Sequence, residues 1–341
     1  MSEHDISAPL VVAERLGRNF PTRHGLLGRA HDVWAVRDVS LTIARGETVG
    51  IVGESGCGKS TLGRMMMGLD LPTTGTMSFD GRDLAALSGP EMRKLSRRMQ
   101  MVFQDPFGSL DPRRSVGAQI ADGLRTHNIV PGSEVKTEVA RLLEQVGLPT
   151  SAAQRRPHEF SGGQRQRIAV ARALSTRPDF IVADEPVSAL DVSIQAQVVN
   201  LLEDLRRDLD LAMLFISHDL HVVRHLCTRI VVMYLGRIVE EGPAEKVFGS
   251  PAHPYTRALL KSMPAMHGTN RGRLETIAGS VPHPFQCPSG CPFHPRCPER
   301  EAACTQIVPD LLEIDSGHSV SCILRTEQKN TIKSVPDNMP T

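Results

Sequence analysis

Nine consecutive residues, Gly53-Glu54-Ser55-Gly56-Cys57-Gly58-Lys59-Ser60-Thr61, have the types and spacing of a loop that cradles phosphate. Two glycines bracket four residues, and a lysine and a hydroxyl follow, in the pattern G-x-x-x-x-G-K-S. Glycine lets the backbone come close to a phosphate with successive N–H groups aimed at it. Lys59 can reach the β- and γ-phosphates of a nucleotide, and the Ser60 hydroxyl can ligate Mg²⁺. Gly53, Ser55, Gly56, Cys57, Gly58, Lys59, Ser60 and Thr61 are therefore candidate nucleotide-binding residues. A second chemical group lies far along the chain at Asp184-Glu185-Pro186. An Asp there can hold Mg²⁺ directly or through water. Glu185 beside it can orient and deprotonate a water attacking a γ-phosphate. A third group, Ser161-Gly162-Gly163-Gln164, puts an N-cap hydroxyl and two glycines at a helix start, which suits an anion. One nucleotide does not need two such loops, so this one makes sense against a γ-phosphate held by another subunit.

These groups need elements to position them. Glu47-Thr48-Val49-Gly50-Ile51-Val52 reads as a buried strand entering the phosphate loop, and Leu62-Gly63-Arg64-Met65-Met66-Met67 as a helix leaving it. The helix start adds partial positive charge beneath the phosphates. Phe180-Ile181-Val182-Ala183, Leu211-Ala212-Met213-Leu214-Phe215-Ile216 and Arg229-Ile230-Val231-Val232-Met233-Tyr234 read as further buried strands. Ile194, Val198, Leu201, Leu202, Leu205 and Leu209 mark one face of a helix. Strands alternating with helices around a phosphate loop imply a mostly parallel sheet, with the nucleotide at the strands' C-terminal ends. Residues 8–100 read as short strands and turns, and residues 105–160 as helical and polar.

The chain of 341 residues has room for one large domain and extra modules. A net charge of +1 gives no general reason to expect nucleic acid or an anionic membrane as partner. No apolar run approaches the ~20 residues of a membrane helix. The acidic start, Met1-Ser2-Glu3-His4-Asp5, is followed by no apolar stretch, so no signal peptide is expected and a cytosolic location is. Of seven cysteines, Cys287, Cys291, Cys297, Cys304 and Cys322 crowd one C-terminal stretch. In a cytosolic protein such crowding suggests a metal or cluster site rather than disulfides.

Taken in order, the motifs resemble the ATP-binding subunit of an ABC transporter over residues 35–240. The resemblance implies an α/β, P-loop NTPase (RecA-like) core with a mostly parallel sheet, an antiparallel β subdomain and a helical subdomain near 105–164, all within an ATPase domain at 8–245. It makes Ser161-Gly162-Gly163-Gln164 the signature loop. Gln104 becomes the glutamine that senses the transmembrane partner and reaches Mg²⁺. Asp191, in Ser188-Ala189-Leu190-Asp191, falls in the D-loop, and His218 is the switch histidine. Glu185, His218 and Gln104 are then the catalytic set, and Ser60, Gln104 and Asp184 the Mg²⁺ set. Phe20 best matches the adenine-stacking aromatic, with Trp34 the alternative.

A finer resemblance is to the peptide and nickel importer branch. It rests on Gln100-Met101-Val102-Phe103-Gln104-Asp105-Pro106-Phe107-Gly108-Ser109-Leu110-Asp111-Pro112-Arg113, on Ser250-Pro251-Ala252-His253-Pro254-Tyr255-Thr256-Arg257-Ala258-Leu259-Leu260, and on the cysteine element from Gly290 to Cys322. The long first loop, Pro21–Arg29, suggests the second of the two ATPases such importers carry. In this branch Cys291, Cys297, Cys304 and Cys322 would ligate a [4Fe–4S] cluster within a small C-terminal Cys-rich module at 246–330. Zn²⁺ is the alternative. Cys287 departs from the pattern, standing where the family commonly has proline. Residues 331–341 would be a disordered tail. The resemblance further implies a paralogous ATPase subunit, or a second copy, as dimer partner. Two transmembrane permease subunits and an extracytoplasmic solute-binding protein would complete the complex, and nucleic acid would have no part. The chain would sit at the cytoplasmic face of the inner membrane. A soluble ABC ATPase, or an iron–sulfur redox sensor not coupled to transport, are the competing readings. The cysteines lie far along the chain from the phosphate loop, so nucleotide binding is expected to be independent of them.

Overall fold

In the computed structural model, which describes residues 8–23, 30–188, 190–263, 277–283 and 287–326, the chain opens with a long hairpin. β1 (Val11–Arg23) pairs antiparallel with β2 (Ala30–Ile43) from Val11 opposite Ile43 to Arg23 opposite Ala30. The expectation of short strands over residues 8–100 is corrected here. Glu14, Arg15, Arg18 and Asn19 break the apolar alternation of β1, and the pairing shifts register through the same stretch. β3 (Thr48–Val52) is buried at every position, as a strand covered on both faces must be. The phosphate loop follows it and leads into α1 (Lys59–Met66). β4 (Thr74–Phe79) and β5 (Arg82–Asp83) complete a four-stranded antiparallel sheet in the order β2-β1-β4-β5. α2 (Gly89–Ser96) starts at a reciprocal cap between Ser88 and Glu91 and leads to β6 (Met99–Val102).

The next segment is helical: α3 (Pro106–Ser109), α4 (Val116–Thr126), α5 (Val135–Gln145) and α6 (Gly162–Leu174). Apolar residues recur at helical spacing, Val116, Ile120 and Leu124 on α4 and Val135, Val139, Leu142 and Leu143 on α5, and all are buried.

β7 (Phe180–Asp184), α7 (Val192–Leu209) and β8 (Ala212–Ile216) return the chain to the core. Leu209, counted on the buried face of α7, ends the helix 44 % exposed. α8 (Leu220–Leu226), β9 (Arg229–Tyr234) and β10 (Arg237–Pro243) follow, then α9 (Ala244–Gly249) and α10 (Pro254–Lys261). The C-terminal region closes with β11 (Leu312–Asp315) and β12 (His318–Val320).

The main sheet has the order β11-β12-β10-β9-β3-β8-β7-β6. The run from β9 to β6 is parallel, and β10, β12 and β11 extend it antiparallel. One core packs the helical segment and α7 against this sheet, and a second joins the antiparallel sheet to α1 and β3. The C-terminal strands thus belong to the ATPase sheet, which sequence spacing alone did not suggest. Residues 24–29 of the first loop and the tail at 331–341 lie outside the described residues.

Candidate active site

Two glycines give the phosphate loop its path. Gly58 has φ 104°, and a Cβ there would lie 2.1 Å from the Ala35 carbonyl oxygen. Gly53 has φ 152°, and a Cβ would meet the Met233 carbonyl oxygen at 2.3 Å. Only glycine fits either place. Lys59 is buried, and its Nζ donates to the carbonyl oxygens of Gly53 at 2.8 Å and Glu54 at 3.0 Å. Ser55, Gly56, Gly58, Lys59, Ser60 and Thr61 line a cavity of about 470 Å³ together with Ala35, Gln104, Glu185 and His218. Cys57 turns inward instead. Its side chain is 4 % exposed, and burial pushes the thiol pKa up, with Lys59 opposing in part.

Asp184 ends β7 beside this cavity. Its carboxylate accepts the Ser60 hydroxyl at 2.9 Å. Burial raises the Asp184 pKa most, the Ser60 hydrogen bond lowers it, and the nearby Glu185 charge raises it further. Such a carboxylate gains from a cation at the Ser60–Asp184 edge. Glu185 takes φ 44°, a left-handed conformation that costs a non-glycine residue free energy and clusters at functional sites. Its N–H donates to the Ile216 carbonyl at 2.9 Å, tying it to the end of β8. The Glu185 carboxylate accepts Gln104 Nε2 at 3.1 Å and lies 3.3 Å from His218 Nδ1. Gln104 follows β6 and His218 follows β8, so neighbouring strand ends deliver three side chains to one point.

Other residues singled out by sequence do not line this cavity. Ser161 caps α6, accepting the Gln164 N–H at 3.4 Å, while Gln164 Oε1 accepts the Ser161 N–H at 3.1 Å. Gly163 is required by packing, since a Cβ would lie 2.2 Å from Ile194 of α7. A Cβ on Gly162 would lie 3.2 Å from Leu190, so the loop before Asp191 rests on this helix start. Asp191 precedes α7. Phe20 is half-exposed and pairs with Val33. Val33 and Ala35 alternate onto the same face of β2, which puts Phe20 on the face that includes the cavity-lining Ala35. Trp34 points to the other face and packs over Gly17.

The C-terminal thiols influence one another electrostatically. Burial is the largest cause raising the pKa of Cys291, Cys297 and Cys322, and Cys291 is pushed up to about 12. Cys304 raises all three further, Cys322 raises Cys291 and Cys297, and Cys297 raises Cys291. Among the described residues no three His, Cys, Asp or Glu side chains gather around a point where one metal ion could sit. Cys287 stands elsewhere, on a small cavity with Trp34 and Gly56.

Sequence reasoning missed the support behind the phosphate loop. Tyr255 Oη accepts the Glu54 N–H at 2.9 Å, and Arg296 bonds both Glu54 carboxylate oxygens, at 2.8 and 3.0 Å. Tyr255 and Arg296 both stood inside motif segments read above, but nothing in the spacing connected them to Glu54, 201 and 242 positions away.

A five-stranded parallel run, a lysine-serine phosphate loop and an Asp-Glu pair at the facing strand end define a P-loop ATPase. Residues 36–188 match the ABC transporter family model, and residues 239–304 match that of the oligopeptide/dipeptide transporter C-terminal region. A putative peptide import ATP-binding protein of Brucella ovis is 51 % identical over 92 % of this chain and 98 % of its own length. The oligopeptide transport ATP-binding protein AppF of Bacillus subtilis is 50 % identical over 89 % and 94 %, respectively. The dipeptide transport ATP-binding protein DppF of Escherichia coli is 43 % identical over 96 % and 98 %. Among solved structures, the ATP-binding cassette MJ0796 as a dimer bound to ADP and Pi matches with a TM-score of 0.62. It is 29 % identical, covering 69 % of this chain and 98 % of that one. The chain belongs to the ATP-binding subunits of ABC transporters, in the oligopeptide/dipeptide importer branch. Among the described residues no helix is long and apolar enough to cross a membrane.

Proposed function

We propose that this chain hydrolyses ATP to power import of peptides, or of a related small solute, through a membrane ABC transporter. The observation that carries the reading is the single cavity shared by Lys59, Ser60, Gln104, Glu185 and His218, with Asp184 bonded to Ser60 at its edge. ATP lies with its phosphates against the loop N–H groups and Lys59, and its base stacks on Phe20. Ser60, Asp184 and Gln104 would hold Mg²⁺, whose charge would offset that of the phosphates; the donor set is all oxygen, as that cation requires. Glu185 takes a proton from the attacking water. Gln104 and His218 hold the Glu185 carboxylate in place. Ser161, Gly162, Gly163 and Gln164 meet the γ-phosphate of the partner ATPase, a paralogue or a second copy, and Asp191 lies at the same seam. Closure of the pair pulls on two permease subunits through the Gln104 region, with a solute-binding protein delivering cargo from outside. The subunit is peripheral on the cytoplasmic face of the inner membrane.

The ATPase domain spans 8–245 with its helical subdomain near 105–164. The region 246–330 forms a Cys-rich extension in which Cys291, Cys297, Cys304 and Cys322 would hold a [4Fe–4S] cluster, with Zn²⁺ the alternative. In support, Cys304 and Cys322 act on Cys291 and Cys297 through their charge, and Cys304 acts on Cys322.

Purification of the chain from its own membranes in mild detergent is expected to bring two multi-spanning proteins with it. Recovery of an active ATPase with neither would favour the soluble reading.

A further inference from the structure

Glu54, the second residue of the phosphate loop, is held from the far end of the chain. Its side chain receives a two-pronged bond from Arg296, whose side chain is only 4 % exposed. Its N–H donates to Tyr255 Oη, and Tyr255 is fully buried. Its carbonyl accepts Lys59 Nζ. Arg296 is itself fixed, with Nε donating to the Ala278 carbonyl at 3.1 Å and Nη1 to Tyr234 Oη at 3.4 Å. Tyr234, Tyr255 and Phe293 pack ring on ring, with centroids 4.7, 5.3 and 5.4 Å apart. A guanidinium forked on a carboxylate in a site this enclosed defines both direction and distance. Burying it is costly unless the pair stays made.

We propose that Arg296 and Tyr255 are positioning residues for ATP binding: they set the phosphate loop, and through the Glu54 carbonyl the starting place of Lys59. Neither residue touches the cavity. They act through Glu54, whose backbone lies between Gly53 and Ser55. The inference rests on the Lys59–Ser60 cavity being the ATP site. It leaves the expected independence of nucleotide binding from the cysteines untouched, since Arg296 and Tyr255 are not among them.

The test is a double-mutant cycle in the full chain, with equilibrium binding of MgATP and steady-state ATPase as readouts. Arg296→Lys keeps the charge and loses the fork. Glu54→Gln keeps the shape and loses the charge, and it changes a residue on a partly exposed loop, so it folds even if the buried change does not. Each single change is expected to weaken MgATP binding about tenfold, as a displaced loop would. KM should rise with kcat at saturation nearly kept, because the loop holds ground and transition states alike. The double variant should bind no worse than the weaker single variant, since both remove one contact. Tyr255→Phe, which removes only the hydroxyl, should weaken binding by a smaller factor in the same sense. Wild-type affinity in Arg296→Lys, or in Glu54→Gln should the former fail to fold, overturns the proposal. So do single effects that multiply in the double variant, because the residues would then act separately. If Lys59→Ala bound MgATP as tightly as wild type, the ATP-site assignment itself would fall, a result distinct from either.

Discussion

Replacing Glu185 by Gln removes one negative charge and nothing else of consequence from the site. The side chain is 16 % exposed and keeps its volume. A Gln side-chain carbonyl can still accept from Gln104 Nε2, and the backbone at φ 44° carries the same Cβ. The fold and the nucleotide contacts of Lys59 and Ser60 should therefore survive, leaving loss of the base as the chemical effect. A positioned general base contributes about 10²–10⁴-fold. That corresponds to about 3–5.5 kcal/mol on the barrier. A second effect has the opposite sense. The Glu185 charge raises the Asp184 pKa, so its removal favours ionised Asp184, and it takes away one negative charge facing the γ-phosphate. Turnover should drop by two to four orders of magnitude while MgATP affinity holds or improves. The ATP-bound closed pair should then accumulate, visible as a doubling of mass by light scattering. Turnover within tenfold of wild type, or a parallel loss of binding, would refute the assignment.

Ser161→Arg removes an N-cap, worth about 1 kcal/mol, which the fold should tolerate. MgATP binding to the isolated subunit should persist while pair formation fails; failed binding in the monomer would contradict action in trans. Purified without oxygen, the protein should be brown with about four iron and four sulfide per chain. Ser at Cys291, Cys297, Cys304 or Cys322 should deplete them, and at Cys287 much less; a colourless protein with stoichiometric zinc would replace the cluster by a closed Cys₄ site. His253 should make the fold acid-sensitive. Burial first, then Arg257 and Arg325, push its pKa down to about 3, and its Nδ1 accepts the Tyr255 N–H at 3.0 Å. The unfolded chain binds this proton near 6.5. Stability is thus complete above about pH 6.5 and falls toward about pH 3, by up to about 1.4 kcal/mol per pH unit. His253→Asn keeps an acceptor and should flatten that slope in urea titrations; an unchanged slope would exclude His253 as its source.

The chemistry was legible because it is local. A phosphate loop is written in nine adjacent residues, and the buried pentads of β3, β7 and β8 announce the sheet that holds it. Glu185 could be named from its place after β7, and the structure brings Gln104 and His218 to it from adjacent strand ends. What was not legible depends on distant partners. Glu14 to Asn19 hid a strand of 13 residues because its two neighbours, not its own alternation, sustain it. Leu312, Glu313, Ile314 and Asp315 are all exposed, so nothing in their pattern marks an edge strand of the core sheet. Arg296 looked like spacing between cysteines until Glu54 supplied its counter-charge.

The contact between Glu54 and Arg296 also fixes an order in time. A ribosome adds about 5–20 residues per second, and 242 positions separate the two partners. A newly made phosphate loop therefore waits roughly 10–50 s for its brace. Until then β10 has no β12 beside it and presents an open strand edge to other nascent chains. Chains cut short before Arg296 keep every ATP-site side chain yet lack its fork on Glu54, and should meet proteases and chaperones before they meet a permease.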